Sequence, residues 1–369
     1  MSPPPTRPLA AVVLAAGEGT RMKSERPKPL HRLCGRPLVL HVLDALAELD
    51  LHRAVVVVGH GAERVTKTLQ EQCPPNLAID FVEQHVQRGT GDAVSVALTA
   101  FPDDDENEGG DIVVLPGDTP LLRPPTLAAL VRAHRAEDVA ATVLTATLED
   151  PTGYGRVVRD KDGRVARIVE QADADPDERA ITEINTSIYC FKRGVLGPAL
   201  RRLSPENAQG EYYLTDVISV LYDAGYSVVS MVVEDPMEAA GVNDRAQLAI
   251  AEAELRDRIN ERWMRRGITM LDPERTYIDT TVALEPDVTL YPGTILQGDT
   301  IVKRGAEVGP DARLVDCIVG ERAIVEQTVA RSAEIGADAT VGPFAFLRPG
   351  CRVAPGTVTG PFFAGEEIG

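Results

Sequence analysis

Short aliphatic runs alternate with longer segments of helical periodicity over the first two-thirds of the chain. "AAVVLAA" (10–16), "RAVVVVG" (53–59), "DIVVLPGD" (111–118), "AATVLTATL" (140–148) and "TSIYCF" (186–191) read as buried strands. Between them, "RPLVLHVLDALAEL" sets Pro37 near a helix start and places Val39, Val42, Leu43, Leu46 and Leu49 on one helical face. "TLAALVRAHRAE" and "TDVISVLYDAG" read the same way. Strand–helix alternation of this kind predicts an α/β domain with a largely parallel sheet.

The pattern then changes twice. In "RAQLAIAEAELRDRINERWMRRG", Leu248, Ala251, Leu255, Ile259 and Trp263 recur at helical spacing, which predicts one long helix. After Thr269 aliphatic residues recur six apart with occasional slips: Val282 and Val288, Ile295 and Ile301, Val308 and Leu314, then Ile335, Val341, Leu347 and Val353. Glycine or proline often follows closely. A six-residue period predicts a β-helix in which each hexad makes one face of a triangular coil. The expected division is an α/β domain over 1–244, a linking helix over 245–268 and a β-helix over 269–369.

Composition narrows the function classes. The 369 residues are 44% hydrophobic and 25% charged, which is ordinary for a folded globular protein, and the formal net charge is -18. So acidic a chain is no general binder of nucleic acid or anionic membrane. "MSPPPTRPLA" lacks the basic start and long apolar stretch of a leader, and no apolar run is long enough to span a bilayer. Five scattered cysteines show neither C-x-x-C nor metal-ligand spacing, so a reducing cytoplasm is the expected location.

Against that acidity, "VVLAAGEGTRMKSERPKPL" stands out, because it supplies Arg21, Lys23, Arg26 and Lys28 in quick succession. It is neither a Walker A loop nor a dinucleotide fingerprint: Met22 stands where the third glycine of G-x-G-x-x-G belongs. What remains is a strand ending in a glycine loop whose backbone N–H groups can cradle phosphate, with Arg21 and Lys28 as cations. "LPGDTPLL" puts Asp118 just after a buried strand, at the carboxyl edge where open α/β sheets bind ligands. One carboxylate there suits Mg²⁺, which needs few protein ligands when phosphates and water supply the rest. "QHVQRGTGDA" and "DPTGYGRV" are further glycine-rich turns that permit close approach of a base or sugar.

Taken together, "LAAGEGTRMKSERPKPLH", "QRGTGDAV", "PGDTPLL", "DPTGYGRVV", "IVEQADA", "EINTSIY", "NAQGEYYLTDVI" and "GVNDRAQL" resemble, in that order, one family. It is the bifunctional bacterial N-acetylglucosamine-1-phosphate uridyltransferase/glucosamine-1-phosphate acetyltransferase family, and the likeness covers roughly residues 8–360. The resemblance implies a Rossmann-like, GT-A-like nucleotidyltransferase domain followed by a truncated left-handed β-helix. It implies that Leu14, Ala15, Ala16 and Gly17 face the nucleotide, that Arg21 and Lys28 meet its phosphates, and that Gln84, Gly89 and Thr90 read uracil. Asp118, beside Gly117, and Asn243 match the Mg²⁺ ligands, while Gly155, Glu170 and Asn185 match positions that hold the sugar. UTP and N-acetylglucosamine 1-phosphate are the implied substrates, and the family trimerises through its β-helices. No general base is needed, because the attacking phosphate is already ionised, so His31, His60, His85 and His134 are expected to be structural or surface residues.

Departures from the family pattern set further expectations. After "GPFAFLRPG" with Arg348 the match stops, and no histidine occurs after His134, so acetyl transfer is expected to be absent. Phe362 and Phe363 are candidates to cap the last coil. Pro116 stands where the family pattern often has a larger residue, beside the metal, and Ser187 replaces a glycine expected after "INT", beside the sugar, so the sugar is less firmly indicated than the reaction. The alternatives are the same chemistry on glucose 1-phosphate or dTTP, and a non-catalytic nucleotide-sugar-binding subunit. A hexapeptide acyltransferase is disfavoured by the missing histidine, and a dehydrogenase by the incomplete fingerprint.

Overall fold

The computed structural model describes residues 7–101 and 110–365. The first six residues of the leader reading and the last four of the chain lie outside the described residues. Two compact units emerge. One comprises the chain up to His31 together with Pro37–Gln247; the other comprises Arg32–Arg36 and the chain from Leu248.

The first unit is a wound sheet. In chain order it contains β1 (Leu9–Ala15), α1 (Leu38–Ala47), β2 (Arg53–Val58), α2 (Ala62–Gln72), β3 (Ile79–Glu83), α3 (Thr90–Leu98), β4 (Asp111–Pro116) and α4 (Pro124–Glu137). There follow β5 (Ala141–Thr147), β6 (Arg156–Arg159), β7 (Val165–Val169), β8 (Glu183–Lys192), α5 (Arg193–Leu200), α6 (Asp216–Asp223) and β9 (Val228–Val232). The strand order is β9-β5-β8-β4-β1-β2-β3, with the β6–β7 pair attached to β8. Every pair along that path is parallel except those made by β8, which runs antiparallel to both β4 and β5.

The parallel strands are aliphatic on both faces because both faces are covered. Ala11, Val13, Ala54 and Val56 pack with Val39, Val42, Leu43 and Leu46 of α1 on one side. Val12, Val55, Val57, Ile112 and Val114 pack with α3, α5 and α6 on the other. The expected α1 face is thus buried, and Leu49 packs partly buried beyond the helix end. The segment expected as "TSIYCF" is a longer strand of reversed direction with a bulge between Asn185 and Ile188.

The second unit is a left-handed parallel β-helix. Two- and three-residue strands stack into three parallel sheets of five, six and five strands. The inward positions are Ile278, Leu284, Leu290, Leu296, Val302, Val308 and Leu314, then Val319, Val325, Ala330, Ile335, Val341, Leu347 and Val353, all buried. This corrects the expected phase in one coil: Leu296 and Val302 point inward, whereas Ile295 is half-buried and Ile301 is 37% exposed. Buried Thr294, Thr300 and Thr328 donate their hydroxyls at 2.7 Å to backbone carbonyls two or three residues earlier, so these three buried hydroxyls are satisfied.

The helix α7 (Arg245–Arg265) buries Ile259 and Trp263 in the β-helix core. Asn260 Nδ2 donates to the carbonyls of Pro273 (2.8 Å) and Thr276 (3.0 Å). Cys34 joins the same core, and its backbone N–H donates to Glu252 at 2.8 Å, which is why five residues from the early sequence belong here. At the far end Phe363 packs against the core while Phe362 stacks on Phe344 and stays exposed.

The corrected phase is testable by truncation. Leu296→Ala removes a buried side chain and should cost about 2–5 kcal/mol in the urea unfolding transition of the β-helix. Ile301→Ala should cost about 1 kcal/mol at most.

Candidate active site

Four parallel strands end side by side, and the cleft is built on those ends. β3, β2, β1 and β4 run the same way, so Gln84, Gly59, Ala16 and Gly117 follow their strands at one edge of the sheet. Because β8 is antiparallel to β4, its beginning, residues 185–187, reaches that edge too. The bulge there holds Ser187 at a φ of 61°. That left-handed backbone explains why glycine suits the position, and Ser187 adopts it with its N–H donating to Asn185 Oδ1 at 3.1 Å.

The cleft has a volume of about 320 Å³. Among the residues expected from the sequence, it is lined by Leu14, Ala15, Ala16, Gly17, Lys28, Gln84, Gly89, Thr90, Gly117 and Asp118. Pro116 and Ser187, noted in the sequence as departures from the family pattern, line it as well, and so do Gln87 and Glu211, which were not singled out. Gln87 Nε2 donates to the carbonyl of Ala16 at 2.7 Å, tying the opening loop to the second glycine turn. That turn is fastened in place by its neighbours. Gly91 N donates to Tyr212 O, Tyr212 N to Arg88 O, and Leu214 N to Thr90 Oγ1, at 2.8–3.0 Å. Gly89 has a φ of 107°, and a Cβ there would stand 2.6 Å from the Tyr212 carbonyl, so only glycine fits.

The polar centre is a convergence of four side chains. Lys28 Nζ donates to Asp118 Oδ2 and, at 2.8 Å, to Asn243 Oδ1. Arg21 Nη2 donates to the same Asn243 oxygen at 3.0 Å. Gly19, at a φ of 64°, lets Lys28 through: a Cβ there would lie 2.5 Å from Lys28 Cβ. Asn243 is brought to Asp118 by the backbone bond from Val242 N to Asp118 O (2.9 Å), and its own N–H donates to Gln247 Oε1 at 2.7 Å.

A second cleft of about 240 Å³ adjoins the first, and Leu14, Thr90, Ser187 and Glu211 line both. Glu170, Tyr189, Gln209, Tyr213, Leu214 and Thr215 complete it. Gly155 and Asn185 stand behind this wall. A Cβ on Gly155 would lie 3.4 Å from Glu170 Oε2, and Asn185 Nδ2 donates to the Tyr189 hydroxyl at 2.8 Å. Burial pushes the Glu170 carboxyl up, Thr215 Oγ1 counters by donating to it at 3.0 Å, and nearby Asp216 and Asp173 push it up further. Burial likewise pushes the Tyr213 phenol up to about 12. None of His31, His60, His85 and His134 lines either cleft.

Known proteins resemble this chain in sequence. The nucleotidyl transferase family model matches residues 10–263. The chain is 44% identical over 352 residues to the bifunctional protein GlmU of Heliobacterium modesticaldum, covering 95% of this chain and 75% of that protein. It is 49% identical to the GlmU of Mycolicibacterium vanbaalenii over 96% of this chain and 72% of that one. The GlmU of Streptomyces avermitilis is also 49% identical, over 96% and 73%. The chain belongs to the GlmU family. It is an enzyme, a sugar-1-phosphate nucleotidyltransferase. Among the described residues no helix is long and apolar enough to cross a membrane.

The GlmU-type site carries a half-buried acid whose ionised form is disfavoured by desolvation, which gives a pH-dependent expectation. The folded-state value of Glu170 is raised, so its contribution to stability is complete below about pH 4, near the ordinary unfolded value, and is lost as pH rises through the folded value. Glu170→Gln should therefore melt higher than the parent at pH 7.5, and the gap should close toward pH 4. Thermal scans at the two pH values read this directly, and a gap that does not change with pH would contradict it.

Proposed function

We propose that the chain transfers UMP from UTP to N-acetylglucosamine 1-phosphate, releasing pyrophosphate, with Mg²⁺ held by Asp118 and Asn243. The observation that carries this reading is the meeting of the Asp118 carboxylate and Asn243 Oδ1 on one positive centre, the Lys28 ammonium. That ammonium stands in for a small cation and supports a common reach of both oxygens. Two protein oxygens suit Mg²⁺, which keeps its other positions for water and phosphate. Among the described residues no group of three or more His, Cys, Asp or Glu offers a fuller cage. When bound, Mg²⁺ supplies charge neutralisation and polarises phosphate oxygens.

The remaining work belongs to the side chains. Arg21 and Lys28 place two positive charges where the α-phosphate and the departing pyrophosphate need them. Gln84, Gly89 and Thr90 seat the uracil, while Glu170, backed by Gly155 and Asn185, seats the sugar in the adjoining cleft. A phosphate oxygen of the sugar 1-phosphate then bonds to the α-phosphorus as the bond to the bridging oxygen breaks. Two anions held in line gain most from this preorganisation, and no proton need be removed.

The product, UDP-N-acetylglucosamine, feeds cell-envelope precursor synthesis on this reading. The β-helix residues present carry no histidine, so this stretch by itself is proposed to lack a base for acetyl transfer. Exposed Ile318, Ile324, Val329 and Phe346 support assembly of copies through the β-helix, an assembly state that sedimentation reads.

Pyrophosphate release from UTP, Mg²⁺ and N-acetylglucosamine 1-phosphate is the direct test. Asp118→Ala should lower kcat/KM by about a thousandfold, the scale of several kcal/mol of lost charge stabilisation. Glucose 1-phosphate and dTTP run in parallel. Turnover with only those would move the substrate, and turnover that survives the loss of Asp118 would refute the mechanism.

A further inference from the structure

We infer that Asp92 is a positioning residue that sets which nucleobase the cleft accepts, by fixing the side-chain amide of Gln84. The inference rests on the reading of Gln84 as the residue that faces the base. Gln84 is only 5% exposed and lines the larger cleft. Its Nε2 donates to the carbonyl of Gly89 at 3.2 Å and to Asp92 Oδ2 at 2.8 Å. A carbonyl and a carboxylate can only accept, so the NH₂ must face both of them. Turning the amide over would set Oε1 against two acceptors and leave a buried donor misdirected.

Both amide hydrogens are thereby engaged inside the protein. Among the described residues none donates to Oε1, so Gln84 meets the cleft as an acceptor. Uracil and thymine carry an N–H at ring position 3, whereas cytosine carries a lone pair there. An acceptor facing that atom bonds the first two and repels the third, which is discrimination by an unpaired polar group rather than by size.

Asp92 does not line the cleft; it acts through Gln84. It lies in the first turn of α3, where a negative charge also complements the helix dipole. A dipole role requires charge but no particular partner, and it leaves base choice untouched. Gly89 alone would hold one amide hydrogen and leave the other free to serve the cleft. The carboxylate removes that freedom. Asparagine at position 92 would restore it, because its own NH₂ could donate to Gln84 Oε1 and let the pair invert, turning Nε2 toward the base.

The experiment uses the full chain and Asp92→Asn, with UTP and CTP binding by calorimetry beside pyrophosphate release with each nucleotide. We expect the parent to prefer UTP, and Asp92→Asn to narrow the UTP:CTP ratio by about five- to tenfold, the worth of one hydrogen bond. The change should appear in Kd and KM, with kcat for UTP nearly kept. Asp92→Ala, which removes the second acceptor, should narrow the ratio in the same direction and serves if the asparagine variant does not fold. Equal weakening of UTP and CTP, or no preference in the parent, overturns the inference. Normal turnover with an unchanged ratio sinks the role of Asp92 alone. Nucleotide binding without pyrophosphate release in the parent sinks the uridyltransferase reading, and the binding ratio still decides the role of Asp92.

Discussion

One ammonium joins the loop after the first strand to two distant parts of the chain. Lys28 meets a carboxylate 90 positions further on and an amide 215 positions further on. The contact is half-shielded from solvent, with 14% of the Lys28 side chain and 23% of the Asp118 side chain exposed, so neither charge is left without a partner. In a protein of net charge -18, polyphosphate is admitted only where cations are gathered in advance. On the proposed function, the pairing that neutralises Asp118 in the free protein is also what substrate binding must undo. Lys28 then leaves its carboxylate when another cation takes that place and phosphate takes the ammonium. On that same reading, metal and nucleotide binding would be coupled through this one side chain, each lowering the cost of the other.

Much of this was legible because the sheet is parallel and covered on both faces. Strands so placed are apolar throughout, and polar residues appear abruptly where they end; Gly17 and Asp118 stand at such ends. The position of Asp118 in the cleft followed from that contrast, and the buried face of α1 from helical spacing. The direction of β8 did not, since a buried antiparallel strand between two parallel neighbours has the same aliphatic composition. Nor could the phase of every β-helix coil be read. Ile301 and Val302 are both aliphatic, and only the stacking of the coils turns Val302 inward. The hairpin at 32–36 was hidden for a different reason: its place depends on contacts with Glu252 and Asp279, far away in sequence.

Apart from Glu211, which lines both clefts, the site residues that sequence reasoning missed share a property. Gln87 holds a backbone carbonyl of the opening loop, Asp92 orients an amide, and the residues around Tyr212 clamp the Gly89 turn. They act on other protein groups, so their chemistry carries no signature of phosphate, base or metal. Ser187 is the exception in being visible. It was noticed as a non-glycine where glycine is usual, and its φ of 61° supplies the physical reason. Strain of this kind persists where the surroundings over-determine a conformation, here between the two clefts.

The two ends of β4 show how the same residue type is treated in structural and functional settings. Asp111, at the start of the strand, is enclosed: Arg135 Nε donates to it at 2.7 Å, with His134 Nε2 at 3.6 Å and Arg7 at 3.9 Å. Its partners come from α4 and the strand entry, and nothing asks them to leave. Asp118, just past the other end, has Lys28 as its side-chain partner, carried on a single 3-10 turn, Lys28–Leu30. A carboxylate shielded from water, wholly at Asp111 and in part at Asp118, needs a counter-charge, because an isolated one is disfavoured. Enclosing it with arginines and a buried imidazole makes it part of the scaffold. Giving it one lysine on a long flexible side chain leaves it stable alone yet able to change partners, which is the property a polyphosphate-handling edge requires.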